Sequence, residues 1–440
     1  MTIVSPYLWQ TPMVDAAVRS LEKDKFFILA TPTGSGKTVV SLAAAKRLGW
    51  PHLVVAPKVS LTQWHRVAEA MGASSNLISV INPERISSPR GCEFYTREGK
   101  WRLPPGCLVT WDEPHRSCSG PKSHSTLALA ELKAYARGLM AMSATVADSP
   151  LKLRSLGWWN GSHMYNDQSF YRWCRKHGCR DVDLGWGRGA AGRSAFKFTT
   201  SKRDAVKHMA DIRQEFGTRF LSLKASDIPG FPSETISIKY LDLSKRDQDE
   251  INTAYEEMSE RMKSIAQSSL SELGRMREQI EFVMALPLAE LAANHIEDGN
   301  STVTFFSFTE PRLRYEAKLR ELGVGDIASV FGGQKDEARQ AGVDAFQRNE
   351  IHAASIMIKA GGACLSLHDL LHERPRVSFL TPTYESDLFK QALGRIRRCE
   401  GTHATQYIVI AAATLQEKVA ASLERKLGNI ASLNESDLLP

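Results

Sequence analysis

The chain has 440 residues, 42% of them hydrophobic, and a formal net charge of +7 at pH 7. That length predicts two or three domains with sizeable cores. The sequence has no apolar run of about 18 residues, so no membrane span is expected. It also lacks a signal-like N-terminus, and its seven cysteines, an odd number, favour reduced thiols. We therefore expect a protein that is not secreted and acts in the cytoplasm, including the host cytoplasm if it is viral.

The first strong motif is Thr31-Pro-Thr-Gly-Ser-Gly-Lys-Thr38, which follows the apolar run 26–30 and opens the helix-like run 39–46. Strand, Gly-rich loop, Lys-Thr and helix is the order of a P-loop, although Thr31 stands where the first Gly is usual. The backbone N–H groups of such a loop cradle phosphates at a helix N-terminus. Lys37 is expected to reach the β- and γ-phosphates, and the Thr38 hydroxyl to bind Mg²⁺. The predicted nucleotide-binding residues of this loop are Gly34, Ser35, Gly36, Lys37 and Thr38.

Two later strands add polar groups at their ends. The apolar run 107–111 leads into Asp112-Glu113-Pro114-His115, and the run 139–142 leads into Ser143-Ala-Thr145. An Asp at a strand end beside a P-loop is placed to hold Mg²⁺, and the adjacent Glu is placed to orient and deprotonate an attacking water. The pattern predicts catalytic roles for Lys37, Asp112 and Glu113.

The positive charge is concentrated in residues 151–203, which hold eleven Lys or Arg and three Asp, a net +8. The remaining chain therefore sums to about −1, since the total is +7. The segment also carries Trp and Tyr side chains, and cations interleaved with aromatics suit phosphate contact and base stacking. Arg172, Arg175 and Lys176 are the candidate nucleic-acid contacts. The alternative is a solvated basic face whose aromatics belong to a core.

The order of apolar and charged runs predicts an α/β protein with parallel sheets in two blocks. Residues 1–157 alternate strands and helices and form the first lobe, and residues 158–232 form a basic, aromatic-rich insertion or linker. Residues 233–440 form the second lobe, with a helical protrusion near 246–298 that Pro287 is expected to interrupt.

The motifs together resemble those of superfamily 2 helicase-type ATPases, DEAD/DEAH-like with Snf2-related features. The resemblance covers most of the chain, and several motifs in the right order are more specific than any one of them. In chain order, the matching segments are residues 7–10, 31–38, 54–64, 112–115, 143–145, 303–308, 360–365 and 391–398.

The resemblance implies two RecA-like lobes with ATP and Mg²⁺ as cofactors. It makes Gln10 the reader of adenine, adds Gly362 to the nucleotide site, and makes Arg398 an arginine finger with Arg395 its companion. Because these arginines are three residues apart, they are expected to share one face of a helix, with Arg397 off that face and meeting solvent or phosphate. The implied coupling residues are His115, Ser143, Thr145 and Gln391, and the implied nucleic-acid track includes Pro57, Lys58 and Ser307.

The sequence therefore predicts an ATP-dependent translocase or helicase, with DNA favoured over RNA as the partner and ATP hydrolysed between the lobes. The alternatives are an RNA helicase, or an ATP-gated nucleic-acid clamp or remodelling motor that does not separate strands. Protein partners in replication, recombination or repair are expected, and no association with a membrane is expected.

Overall fold

The computed structural model describes residues 5–88, 92–118, 122–144, 146–186, 192–263, 270–358, 365–382, 389, 392–418, 420–421 and 424. These residues divide into two compact units, here called the first lobe (1–229) and the second lobe (230–425). The first lobe thus contains the P-loop and nearly all of the basic segment 158–232.

The first lobe is built on a parallel sheet. Its strands are β1 (Phe26–Ala30), β2 (His52–Val55), β3 (Leu77–Ile81), β4 (Leu108–Asp112), β5 (Gly138–Met142) and β8 (Phe220–Ser222), in the order β3-β2-β4-β5-β1-β8. Every residue of β1 is buried, because Phe26 and Ile28 face one core and Phe27 and Leu29 face the other. A parallel strand covered on both faces requires such a continuous apolar run.

Helices lie on both faces of this sheet. They are α1 (Thr11–Asp24), α2 (Lys37–Leu48), α3 (Leu61–Ala70), α4 (Pro83–Ile86), α5 (Pro114–Ser117), α6 (His124–Glu131), α7 (Arg154–Asn160), α8 (Asp167–Lys176) and α9 (Lys202–Phe216). An antiparallel hairpin of β6 (Cys179–Trp186) and β7 (Gly192–Phe198) follows α8. Trp159 and Trp173 are buried in the core of this lobe, so part of the predicted aromatic surface is core.

The second lobe carries another parallel sheet. Its strands are β9 (Glu234–Leu241), β10 (Ser301–Phe306), β11 (Ile327–Val330), β12 (Ala353–Met357), β13 (Arg376–Leu380) and β14 (Ala404–Ala411), in the order β11-β12-β10-β13-β14-β9. Its helices are α10 (Lys245–Lys263), α11 (Leu270–Glu297), α12 (Thr309–Glu321) and α13 (Asp336–Gln347). The predicted fold class, two lobes with parallel sheets and a helical segment, is confirmed.

The predicted interruption at Pro287 is wrong, because α11 continues through this residue. A proline inside a helix removes one backbone hydrogen bond and crowds the preceding turn. Here Met284, Ala285, Leu288 and Ala289 on either side are fully buried in the second-lobe core. Burial of these side chains offsets the missing hydrogen bond and keeps the helix in one piece.

Within the described part of the chain, no helix has the length and apolarity needed to cross a bilayer.

Candidate active site and nucleic-acid interface

Gln10 is buried against the P-loop. Its side-chain Nε2 donates to the Ser35 carbonyl at 2.9 Å, and its Oε1 accepts from the Tyr7 backbone N–H at 2.9 Å. A Cβ at Gly36 would lie 2.4 Å from the Gln10 amide, and Gly36 has a φ of +73°. Glycine is therefore required at residue 36 both for its backbone conformation and for the close approach of Gln10.

The P-loop is closed by its own side chains. The Thr31 and Ser35 hydroxyls lie 2.7 Å apart, and the Lys37 ammonium donates to the Thr31 and Pro32 carbonyls at 2.9 and 3.0 Å. Gly36 then caps α2, whose first residues are Lys37 and Thr38. The loop thus combines an ammonium group, held on loop carbonyls, with the N-terminus of a twelve-residue helix, a suitable setting for phosphates.

Asp112 and Glu113 occupy a strained turn at the end of β4. Glu113 has a φ of +52°, which is uncommon for a residue with a side chain, and its N–H donates to the Met142 carbonyl at 2.8 Å. Such strain costs of order 1–3 kcal/mol and is found at functional sites. Pro114 begins α5 directly after it, so the turn is fixed on both sides.

The Glu113 carboxylate is connected to the next strand end. Ser143 donates its hydroxyl proton to Glu113 Oε2 at 2.6 Å, and His115 Nδ1 lies 3.1 Å from the same hydroxyl. Because the one hydroxyl proton goes to the carboxylate, His115 Nδ1 is the donor in the second contact. The predicted catalytic residue Glu113 is thus brought together with two predicted coupling residues.

A buried polar chain also connects α2 to β4. The Ser41 hydroxyl and His52 Nε2 each lie 2.8 Å from the Thr110 hydroxyl, two residues before Asp112. Burial lowers the pKa of His52 to about 3, so the imidazole is neutral. The helix that begins at the P-loop and the strand that ends at Asp112 are therefore fixed to each other. Sequence reasoning missed this chain, because each member is a single polar residue in an apolar run.

The residues of the first lobe fit ATP and Mg²⁺. An ammonium, a loop with positive-φ glycines at 34 and 36, and a helix N-terminus suit the phosphates. The Thr38 hydroxyl and the Asp112 carboxylate are the hard oxygen donors that Mg²⁺ takes in addition to water and phosphate oxygens. When bound, the ion would neutralise charge that develops on the phosphates.

Pro57 and Lys58 lie at the end of β2, where a short turn of 3-10 helix runs over Lys58–Ser60. The Ser60 hydroxyl donates to the Pro57 carbonyl at 2.7 Å and fixes the turn. Lys58 is exposed, and Trp64 of the same motif is buried in the core. The structure therefore presents Lys58 to solvent and uses Trp64 for packing.

In the second lobe, the prediction that Arg395 and Arg398 share a helix face is wrong. Residues 392 and 393 are helical, and residues 394–400 lie outside any helix or strand. Arg395 is buried, and its carbonyl accepts from the Leu367 N–H at 3.0 Å. Arg398 is partly exposed and donates from Nη2 to the Leu365 carbonyl at 2.7 Å. Both arginines thus contact the segment 365–367 from a stretch of chain that is not helical.

Arg397 also differs from its prediction, because it has partners inside the second lobe. It forms an ion pair with Glu234 and donates from Nε to the Pro232 carbonyl at 2.7 Å. Its guanidinium lies 4.9 Å from the centre of the Phe231 ring. These contacts anchor the start of β9.

A buried acid, Glu281 of α11, holds the segment around Ser307. Its carboxylate accepts from the Ser307 N–H at 2.8 and 2.9 Å and from the Phe308 N–H at 2.9 Å. Burial raises the pKa of Glu281 to about 7, against the opposing effect of these N–H groups and of Arg277. The sequence gives no signal for it, because a Glu in a long helix is usually a surface residue.

The basic helix α8 packs Phe170, Trp173 and Cys174 inward. Arg172 is exposed, whereas Arg175 and Lys176 have acidic partners, Asp181 at 3.2 Å and Glu215 at 3.5 Å. Burial raises the pKa of Glu215, but hydrogen bonds led by that of His177 outweigh it and lower the pKa to about 2. The predicted coupling residues Thr145 and Gln391 and the predicted nucleotide-site residue Gly362 lie outside the described residues.

A P-loop, a strand that ends in carboxylates and two α/β lobes, each with a parallel sheet, define a P-loop nucleotide hydrolase. Residues 3–88 match the family model of the type III restriction enzyme res subunit. The chain is 24% identical to L364 of Acanthamoeba polyphaga mimivirus, which is named as an ATP-dependent RNA helicase. The alignment covers 94% of this chain and 81% of L364. These similarities support a superfamily 2 helicase-type ATPase, an enzyme that hydrolyses ATP.

Solved structures of the SWI2/SNF2 ATPase core of Sulfolobus solfataricus are also similar. The core in complex with double-stranded DNA aligns with a TM-score of 0.39 and 12% identity over all of both chains. The core domain alone aligns with a TM-score of 0.38 and 13% identity, over 96% of this chain and 90% of that one.

Proposed function

We propose that the protein is a translocase that moves on DNA and is driven by ATP hydrolysis in the first lobe. The observation that carries this proposal is the connection of Glu113 to Ser143 and His115. This link joins the carboxylate proposed to orient water to the end of a second strand. In a motor, the hydrolysis step must respond to bound nucleic acid, and a polar link between two strand ends can transmit that response.

The first-lobe residues have distinct roles in this proposal. Lys37 exchanges its loop carbonyls for the β- and γ-phosphates, and Gln10 contacts adenine. Thr38 and Asp112 hold Mg²⁺, and Glu113 orients and deprotonates the attacking water. The Ser143 hydroxyl holds Glu113 in position for this step and links it to the response to bound nucleic acid.

Residues of other segments are assigned by the resemblance. Arg398 stabilises charge on the transferred phosphoryl group with Arg395 beside it, and Gly362 contacts the nucleotide. Pro57, Lys58 and Ser307 contact the nucleic-acid backbone, and Glu281 supports this by fixing the Ser307 N–H. Thr145 and Gln391 are proposed to act with His115 and Ser143 in coupling.

DNA is the proposed track because of the Snf2-related motifs, and partners in replication, recombination or repair would follow from it. The name of the mimivirus relative favours the second candidate, an RNA helicase. Backbone contacts alone do not separate the two, because only a contact to the 2′-OH distinguishes RNA from DNA.

The test is an ATPase panel on the purified chain with single-stranded DNA, duplex DNA and RNA, each of matched length. Stimulation by DNA above RNA supports the proposal, and stimulation by RNA alone supports the second candidate. No stimulation by any of the three overturns the proposal of a nucleic-acid motor. A triplex-displacement assay then separates translocation from static binding, and a strand-displacement assay reports unwinding.

A further inference from the structure

Four cations of residues 151–203 have acidic partners within the first lobe. Lys152 lies 3.0 Å from Asp148, and Arg154, the first residue of α7, lies 2.7 Å from Asp167. Arg175 and Lys176 are paired as described above. The +8 charge of residues 151–203 therefore overstates what this segment offers to a ligand.

The hairpin of β6 and β7 is different. Arg180 and Lys197 lie directly opposite each other in the antiparallel pairing, so their side chains emerge on the same face. Both are exposed, and among the described residues neither forms an ion pair or side-chain hydrogen bond. Opposed side chains of this kind have Cβ atoms about 4.5–5.5 Å apart, and like charges at that position are destabilising.

The other face of the hairpin packs against the first lobe, which explains why the face with Arg180 and Lys197 is exposed. Cys179 is buried, and its opposite residue Phe198 packs against the first-lobe core. The next pair on that face, Asp181 and Phe196, is covered by Arg175 of α8, whose guanidinium lies 5.2 Å from the Phe196 ring centre. The hairpin is thus fixed to the lobe by one face and presents the Arg180–Lys197 pair to solvent on the other.

We propose that Arg180 and Lys197 form a phosphate-binding contact for the nucleic-acid backbone. This inference rests on the proposed function, since the occupant is the track on which the protein acts. Two adjacent cations with no counterion among the described residues match a ligand with a regular array of negative charges, and a bound phosphate would relieve their mutual repulsion. Arg supplies a planar fork for phosphate oxygens, and Lys supplies a point charge.

The experiment compares two charge-matched double variants with the wild-type chain. The first is Arg180→Gln with Lys197→Gln, and the second is Lys152→Gln with Lys176→Gln, which removes two cations that have acidic partners outside the hairpin. Binding of a fluorescent oligonucleotide is measured by anisotropy at three salt concentrations. A melting curve is recorded for each protein without nucleic acid.

We expect the first variant to bind more weakly and its log–log salt slope to fall by about 1.4–1.8, the sum of two phosphate contacts. The second variant should keep a slope nearer to that of wild type, although its net charge is the same. Loss of the repulsion should leave the melting temperature of the first variant equal to or above that of wild type.

A first variant with the wild-type slope, or equal slopes in both variants, would overturn the inference. So would a clear fall in its melting temperature, because the pair would then be part of the fold. These results are distinct from a failure of the proposed function, in which the wild-type chain itself would show no salt-dependent binding and no stimulated ATPase activity.

Discussion

The hydroxyl of Ser143 donates a 2.6 Å hydrogen bond to Glu113 Oε2, joining the ends of two neighbouring strands. The bond exists because β4 and β5 are paired in parallel and both turn at the same edge of the sheet. A charge-assisted hydrogen bond of this kind is stronger than a neutral one. The bond fixes the Glu113 carboxylate, which is proposed to orient water. Its donor, Ser143, belongs to the motif proposed to couple hydrolysis to bound nucleic acid.

Ser143→Ala should therefore separate basal from stimulated hydrolysis. We expect ATP affinity to stay close to wild type and the nucleic-acid-stimulated kcat to fall about tenfold or more, since a hydrogen bond to a charged group is worth about 1.5–3 kcal/mol. Steady-state ATPase assays with and without nucleic acid measure this. A variant that keeps full stimulation would show that the bond has only a structural role.

Lys37→Ala should abolish ATP hydrolysis. The ammonium donates to two loop carbonyls in the structure and is the cation proposed to move onto the β- and γ-phosphates. Turnover is measured at saturating nucleic acid, with a melting curve to show that the variant folds. Near wild-type turnover in the folded variant would remove the P-loop from the mechanism.

Glu113→Gln should bind ATP and hydrolyse it very slowly. The amide cannot accept a proton from water, whereas Asp112 is unchanged and keeps its proposed role in holding Mg²⁺. Binding of a fluorescent ATP analogue and single-turnover hydrolysis give the two quantities separately. Parallel losses of binding and turnover would argue against this division of roles between the two carboxylates.

The strands were the part of the fold that the sequence specified best. The run Phe26–Ala30 is predicted and found with the same bounds, because a strand buried on both faces must be apolar throughout. β8, by contrast, has three residues and exists because its backbone pairs with β1, far away in sequence. No local pattern encodes such a pairing.

The candidate site divides in the same way. Lys37, Asp112 and Glu113 belong to short motifs with a fixed spacing, so sequence alone brings them together. Glu281 acts on backbone N–H groups 26 and 27 residues away, and Arg397 on residues more than 160 positions earlier. Contacts of that range depend on the packing of α11 and β9, which a motif cannot report.

Arg398→Ala should lower kcat strongly and leave ATP affinity largely intact. An arginine finger acts on charge that develops in the transition state, so its loss belongs in kcat and is typically worth about 10³–10⁵ in rate. The matched control is Arg397→Ala, whose guanidinium is committed to Glu234 and Pro232.

The control should lower the melting temperature, because it breaks a half-buried ion pair, and should affect kcat far less than Arg398→Ala does. ATPase kinetics at saturating nucleic acid and thermal melts measure both proteins. A loss of ATP affinity alone in Arg398→Ala would assign that arginine to ground-state binding.

Glu281→Gln should change how stability depends on pH. Burial raises the pKa of Glu281 from 4.5 to about 7, so between these values the folded chain holds a proton that the unfolded chain has lost. Stability contributed by this group is therefore greatest at low pH and falls as pH rises towards 7, by at most about 1.4 kcal/mol per pH unit. The glutamine variant does not titrate, so its stability lacks this fall.

Melting temperatures of both proteins are measured at pH 5.5, 6.5 and 7.5. The melting temperature of the wild type should decrease relative to that of Glu281→Gln as pH rises. A difference that stays constant across the three pH values would mean that Glu281 is ionised throughout.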